Sequence, residues 1–250
     1  MDTLVLESDV RRIWAALRFV EAASGRAVDG RLAVQVPGAR LQRNMSGLWV
    51  LSRIDAPAER RAEFQAYEDA FDPVPEPAAL ALAGTVADPL GRHLPRAFAL
   101  ALPRVGLPPG PLAPCFQPQD VVLDFSPAAP LLPTWAVLRV AVRHQGRPAP
   151  QAALRLQRPG GGALLGRGCS DARGEALVVA AGVPQLSAGV GAVVVQRELD
   201  AELVLSFDPA ADAALPQDPD ALALRAGVVR RSLALRIASG RVQTLAVDLP

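Results

Sequence analysis

Few side chains in this chain of 250 residues could do chemistry, and they are scattered. There are two histidines. His93 lies in the turn Leu90-Gly91-Arg92-His93, and His144 in the turn Arg143-His144-Gln145-Gly146. Either could act as a base beside a Ser, Thr or Cys nucleophile, but both read as surface histidines of turns. Cys115 and Cys169 stand in different segments, which is no disulfide framework and fits a reduced compartment. Cys169 follows Arg167-Gly168 and precedes Asp171, so neighbouring charge could favour its thiolate; the plainer reading is an inert cysteine at a strand end. Asp208, Asp212, Asp218 and Asp220 carry the oxygens that calcium takes, but their spacing matches no ordered calcium loop. That segment reads as a solvated acidic loop. Two His and two Cys far apart are poor material for any other metal. Gly160-Gly161-Gly162 lacks the lysine of a phosphate loop and joins strands instead of opening a helix. The expectation is a chain with no catalytic residue, no cofactor and no metal.

The elements around these residues are strands. In 137–143, Val137, Arg139, Ala141 and Arg143 point one way, and Leu138, Val140 and Val142 the other. Period-two alternation puts one face in a core and one in water. Gly146-Arg147-Pro148 breaks the run, because Gly permits positive φ and Pro cannot donate to a ladder. Leu154 and Leu156 resume it. Asp171-Ala172-Arg173-Gly174 is a turn, with Asp bonding its own downstream backbone, and Leu177-Val178-Val179 is the returning strand. Trp49 and Trp135 fall inside strand patterns as core residues, not as platforms for sugar.

The N-terminal half echoes this order. Arg18, Gly25-Arg26 and Leu32-Ala33-Val34 line up with Arg139, Gly146-Arg147 and Leu154-Arg155-Leu156, given one inserted residue. Gly47 before Leu48-Trp49-Val50 matches Gly174 before Ala176-Leu177-Val178. Strands are also expected at 17–21, 79–87, 96–102, 121–125 and 199–207. Phe64, Tyr67 and Phe71 fall on one helical face within 56–72, where a short helix or an irregular loop both fit. The run 208–226 is turn-rich and acidic. A closing hairpin is expected from 231–237 and 241–249. Proline-rich residues 105–133, with Pro108-Pro109 and Pro111, form a stiff linker with one strand. The fold class is all-β: two antiparallel sandwich domains in tandem, residues 1–104 and 134–250.

Composition narrows the function classes. Half the residues are hydrophobic and only 4% aromatic, so the core is built from Leu, Val and Ala. All 26 basic residues are Arg, spread evenly, and the net charge of +1 gives no general attraction to nucleic acid or anionic membrane. No apolar run reaches the roughly 18 residues of a membrane span. The longest, Gly189 to Val195, is strand-length. The start, Met1 to Asp9, carries acids where a secretory leader would be basic, so a cytoplasmic location, or release as part of a particle, is expected.

Two resemblances follow from these motifs. Ser24-Gly25-Arg26-Ala27-Val28-Asp29-Gly30 with Ser46-Gly47-Leu48-Trp49-Val50-Leu51 resembles the carboxypeptidase regulatory-like, or transthyretin-like, sandwich. Gly146-Arg147-Pro148 with Asp171 to Leu177 is the fuller match; the first copy has Ala27 where proline is usual. The transthyretin-like hydrolases of hydroxyisourate end in Tyr-Arg-Gly-Ser, whereas this chain ends Ala246-Val247-Asp248-Leu249-Pro250, so that activity is set aside. The segments Asp88 to Leu102-Pro103 and Val121 to Leu138 look like accessory proteins of phage-tail-like contractile injection loci. That resemblance implies a structural role through protein–protein contacts, in a baseplate, cap or adaptor. Two other classes have clear signatures. A pocket lined by His93 or His144 with Arg and a carboxylate would mark an enzyme or small-molecule binder. A planar row of exposed Trp and Tyr would mark a carbohydrate-binding module.

Overall fold

The computed structural model describes residues 13–69, 78–102, 117–183, 198–222 and 225–250. In chain order the strands are β1 (Ala15–Glu21), β2 (Ala33–Gln35), β3 (Ala39–Arg43), β4 (Trp49–Ile54), β5 (Leu80–Ala87), β6 (Arg96–Leu102), β7 (Gln119–Leu123), β8 (Ala136–His144), β9 (Arg147–Pro148), β10 (Ala153–Gln157), β11 (Leu164–Cys169), β12 (Glu175–Ala180), β13 (Leu199–Phe207), β14 (Val229–Ile237) and β15 (Val242–Leu249). Helix α1 (Arg61–Asp69) and the single turn α2 (Pro219–Leu222) complete the set, with a 3-10 turn before α1. The chain is all-β and largely antiparallel. Phe71, Gly189 to Val195, Cys115 and the prolines at 108, 109 and 111 lie outside the described residues.

The residues fall into two compact units. One comprises Met1–Arg18, Gln35–Gly84 and Ala99–Val121; the other comprises Phe19–Val34, Thr85–Phe98 and Val122–Pro250. A serial division across 105–133 was expected, yet each unit draws on three stretches of chain. Hydrophobic rhythm marks where a strand runs and carries no information about which compact unit receives it.

In the first unit β1 pairs β4, and β4 pairs β3, both antiparallel. A bulge at Arg40/Leu41 interrupts the second pairing. Trp14, Leu51, Ile54, Phe64 and Leu102 form the core. Of the short helix and the irregular loop that both fit 56–72, the helix forms, as α1; its Phe64 is buried, and the Phe64 and Tyr67 rings each lie 5.5 Å from Trp14.

In the second unit two sheets face each other, β11-β10-β13-β14 and β12-β8-β15. Their facing side chains make one core: Leu138, Val140 and Val142 from β8, Leu154 and Leu156 from β10, Leu203 and Leu205 from β13, and Val178 from β12. Each such side chain contributes about 1.5–3 kcal/mol by leaving water. The expected alternation of β8 holds on this face. On the other, Val137 is not in water. Phe125, Ala129, Leu177 and Val179 bury it, because 125–135 folds over that end of the strand.

The turns follow their residues. Gln145 and Gly146, at φ 51° and 73°, join β8 to β9 as a tight hairpin. The Asp171 carboxylate accepts from the Arg173 and Glu175 amides at 2.8 and 3.0 Å, and Gly174 takes φ 75°. The expected closing hairpin is absent. β14 pairs β13 antiparallel, whereas β15 crosses to the other sheet and pairs β8 in parallel, Val242 opposite Val137 through Leu249 opposite His144. The connection is fastened to the start of β8. Ser239 Oγ donates to the Thr134 carbonyl at 2.6 Å, and the Val137 amide donates to the Arg241 carbonyl at 2.9 Å. A hairpin partner and a crossing strand have the same alternation, so the pattern could not separate them.

Strand β11, which the alternation did not reveal, approaches β12 through glycines. A Cβ on Gly166 would stand 2.4 Å from the Val179 carbonyl oxygen, and one on Gly168 2.4 Å from that of Leu177. Gly168→Ala should therefore destabilise the fold by about 2–3 kcal/mol through a backbone clash. Gly161→Ala, with open space but φ 76°, should cost about 1 kcal/mol. Urea unfolding of the two variants checks the order.

Candidate functional site

The candidate residues gather at two places in the second unit, both different from their expected settings. His93 is no surface histidine; it is 6% exposed. Asp88 at the head of the turn binds the Leu90 amide at 2.9 Å and the His93 amide at 3.2 Å, and its Oδ2 lies 3.0 Å from His93 Nδ1. The imidazole stacks on Phe125, centroids 5.5 Å apart, where residue 93 bridges residue 125. Burial pushes the Asp88 carboxyl up, but His93 and the two amides outweigh it and hold it below the ordinary range. An Asp–His pair of this kind orients an imidazole for base catalysis only if a nucleophile meets the other nitrogen. His93 Nε2 is buried and has no hydrogen-bonding partner among the described residues. His144 lies elsewhere, its ring 5.5 Å from that of Phe207 and its Nδ1 buried without a hydrogen-bonding partner among the described residues.

The second place is a cluster of five charges. The Arg96 guanidinium donates to the Val122 carbonyl at 2.7 Å, to Asp218 at 2.6 Å and to Asp220 at 2.9 Å. Arg167 donates to Asp124 at 2.9 Å and to Asp220 at 2.7 Å. Asp220 thus bridges two arginines, and Asp124 is 2% exposed. Burial would lower the Arg167 pKa, yet Asp124 and Asp220 raise it well above its usual value, so the group stays charged. Burial pushes the Asp220 carboxyl up, and Arg167 and Arg96 more than offset this and lower it.

The expectation of a solvated acidic loop is refined at two of its residues: Asp218 is a counter-ion of Arg96, and Asp220, with its side chain about half exposed, is a counter-ion of both Arg96 and Arg167. Cys169, next to Arg167 and Asp124, is buried, and desolvation with Asp124 pushes its thiol up to about 12 against Arg167 and Arg96. A favoured thiolate is thus reversed by burial. No group of three or more His, Cys, Asp or Glu among the described residues is arranged to hold a metal.

Sequence reasoning passed over Arg96, Arg167 and Asp124, though each carries a signal. Arg96 is in phase with buried Phe98, Leu100 and Leu102. Arg167 stands between two glycines, and Asp124 interrupts the apolar run from Val121 to Phe125.

Three clefts among the described residues are lined by other side chains than the histidines. One in the first unit, about 520 Å³, is lined by Arg53, Asp55, Arg61, Gln65 and Glu68. Two in the second unit, about 220 and 400 Å³, are lined by Pro127, Arg139, Glu175 and Thr244, and by Pro159, Asp200, Ala234 and Arg236. The aromatic row of a sugar-binding face is not formed by the tryptophans: Trp14 is buried, and Trp49 and Trp135 are half-buried, less deep than the core setting expected of the last two. No helix among the described residues is long and apolar enough to cross a membrane.

No family model matches the chain, and no curated protein matches it. A solved structure similar to it is GBS52, the minor pilin of the Gram-positive pathogen Streptococcus agalactiae. It is 10% identical over 94% of this chain and 95% of that one, with a TM-score of 0.26. A likeness at that level carries no argument about function.

The charge cluster yields a measurable expectation. Arg167→Met leaves Asp124 buried without its ion partner and should cost about 3–5 kcal/mol. Arg167→Met with Asp124→Leu should recover most of that, as read by urea unfolding in a double-mutant cycle. The lowered carboxyls fix the pH profile. A group with a depressed folded pKa stabilises above its unfolded pKa of about 4 and loses that contribution as pH falls through its folded value. Unfolding free energy should be level from neutral pH to about 5 and drop below about 4, and Asp88→Asn should flatten the drop.

Proposed function

We propose that this protein is a non-catalytic β scaffold that acts by docking to other proteins, as a structural or accessory component of a phage-tail-like contractile particle. The mode of action rests on one observation. Both sheets of the second unit end in long strands paired on one side only among the described residues: β14, nine residues, and β15, eight. An edge of that length exposes a ladder on which another chain can add a strand. The edges differ in charge. β14 carries Arg230, Arg231 and Arg236, the type of residue that discourages edge pairing. β15 carries Asp248 alone, and its Val242 is exposed. That contrast favours β15 as the docking edge.

The buried ionisable groups support the same reading. Arg96, Arg167, Asp124 and Asp88 are all held by partners inside the unit, so they fasten the fold and are not poised toward a substrate. The contractile particle as the setting comes from the likeness of 88–103 and 121–138 to accessory proteins of such loci.

The tagged protein should co-sediment with purified particles from its own cell. Val242→Lys with Thr244→Lys, both exposed positions on β15, should strip it from them while leaving the unfolding midpoint within about 0.5 kcal/mol of the parent. A monomer absent from particle fractions would sink the proposal.

A further inference from the structure

Residues 208–222, between β13 and β14, lack ladder bonds among their described hydrogen bonds. Their internal amide bonds are local: Ala211, Leu215 and Leu222 donate to the carbonyls of Asp208, Asp212 and Asp218, each at 3.2 Å, and Ala210, Ala214 and Asp220 donate to the carboxylates of the same three residues at 2.9–3.0 Å. What ties this segment to the sheets is a short set of fastenings. The Gln151 side chain supplies three. Its Nε2 donates to the carbonyls of Ala213 at 3.0 Å and Leu215 at 2.8 Å, and its Oε1 accepts from the Gln217 amide at 2.6 Å. The Ala97 amide donates to the Gln217 carbonyl at 2.9 Å. Arg96 and Arg167 hold Asp218 and Asp220. Pro219 and Leu222 are buried at the far end.

Gln151 makes these bonds from an unusual backbone. Its φ is 60°, a region that side chains other than glycine rarely occupy. Gln145, which shares this feature, lies in its hairpin turn, and Gln151 lies in the turn it forms with Pro150. Gln151 is further held by what it fastens: its own amide donates to the Ser170 carbonyl at 2.9 Å while its side chain spans three backbone groups of 213–217. Segments with few ladder bonds and few buried apolar contacts open below the free energy of global unfolding.

We propose that 208–222 is a strap that opens as a unit while the two sheets stay folded, and that Gln151 is its latch. Opening removes Asp218 and Asp220 from Arg96 and frees the Ala97 amide, so the open form presents the Arg96 guanidinium without a carboxylate, while Arg167 gives up Asp220 and keeps Asp124.

Hydrogen exchange on the full chain tests this. In the parent, the Asp220 and Leu222 amides should exchange through an opening insensitive to low urea, while amides of β8, β10 and β13 exchange only by global unfolding. Gln151→Gly tolerates φ 60° and removes the three latch bonds. It should speed exchange at Asp220 and Leu222 by about tenfold or more with no change in the core strands. Those two amides bond to Asp218, not to Gln151, so their acceleration reports strap opening and not the loss of a direct partner. Asp220→Asn should act in the same direction. Equal protection of strap and core in the parent would overturn the proposal. So would a Gln151→Gly variant in which strap and core exchange move together, or in which neither moves.

Discussion

Two carbonyl oxygens, those of Leu177 and Val179, occupy the space where side chains of β11 would otherwise lie. Only Gly166 and Gly168 allow that approach. Alternation then places Arg167, between them, on the opposite side of the strand, where it meets Asp124 and Asp220. One steric constraint thus sets both the closeness of β11 to β12 and the position of the cation at the centre of the charge cluster. Asp220, held by that cation and by Arg96, brings α2 and the acidic segment before it onto the unit. Without the two glycines there would be no fixed arginine, and without the arginine Asp124 would be a buried anion with no ion partner.

Electrostatics and burial together set the chemistry of the chemically suggestive residues. The Asp88–His93 pair has the parts of a catalytic dyad, but its Nε2 meets no hydrogen-bonding partner among the described residues, and its ring is spent on stacking with Phe125. Cys169 lies within the field of two arginines, a setting that on the surface would favour the thiolate. Burial beside Asp124 reverses the sign. At the thiol desolvation decides the sign, and desolvation is a property of the folded neighbourhood that residue types and spacing do not encode.

The legibility of the sequence divides along the same line. Local grammar was readable: the alternation of β8 and β10, the Asp171-to-Gly174 turn and the Gly146 hairpin all follow from neighbours in the chain, whereas the pattern at 56–72 fitted a helix and an irregular loop alike. Long-range pairing was not. The alternation at 241–249 specifies a half-buried strand, but its choice of β8 over β14 is made by Ser239 and Arg241 binding the backbone near Thr134 and Val137, about a hundred residues away in sequence. Strand β11 was hidden because glycines supplied its inward positions and erased the apolar rhythm. Of the site, Arg96 was legible in principle from its phase with Phe98 and Leu100. The burial of His93 was not, since it depends on Phe125 arriving from another strand.

The distribution of charge over the two open edges of the second unit follows from these pairings. β14 is antiparallel to β13 and sets Arg236 beside Asp200 and Glu198. Arg231 reaches the Asp248 carbonyl on β15, and Gln243 of β15 donates to the Arg236 carbonyl at 2.6 Å. Side chains therefore cross between the two edge strands and occupy some of the carbonyls an incoming strand would want. A partner adding to β15 must either displace these bonds or pair where they leave the ladder open. Displacement costs little at such exposed contacts, where water replaces the lost donor. The docking proposed for β15 therefore requires a partner whose own side chains or backbone take over these bonds.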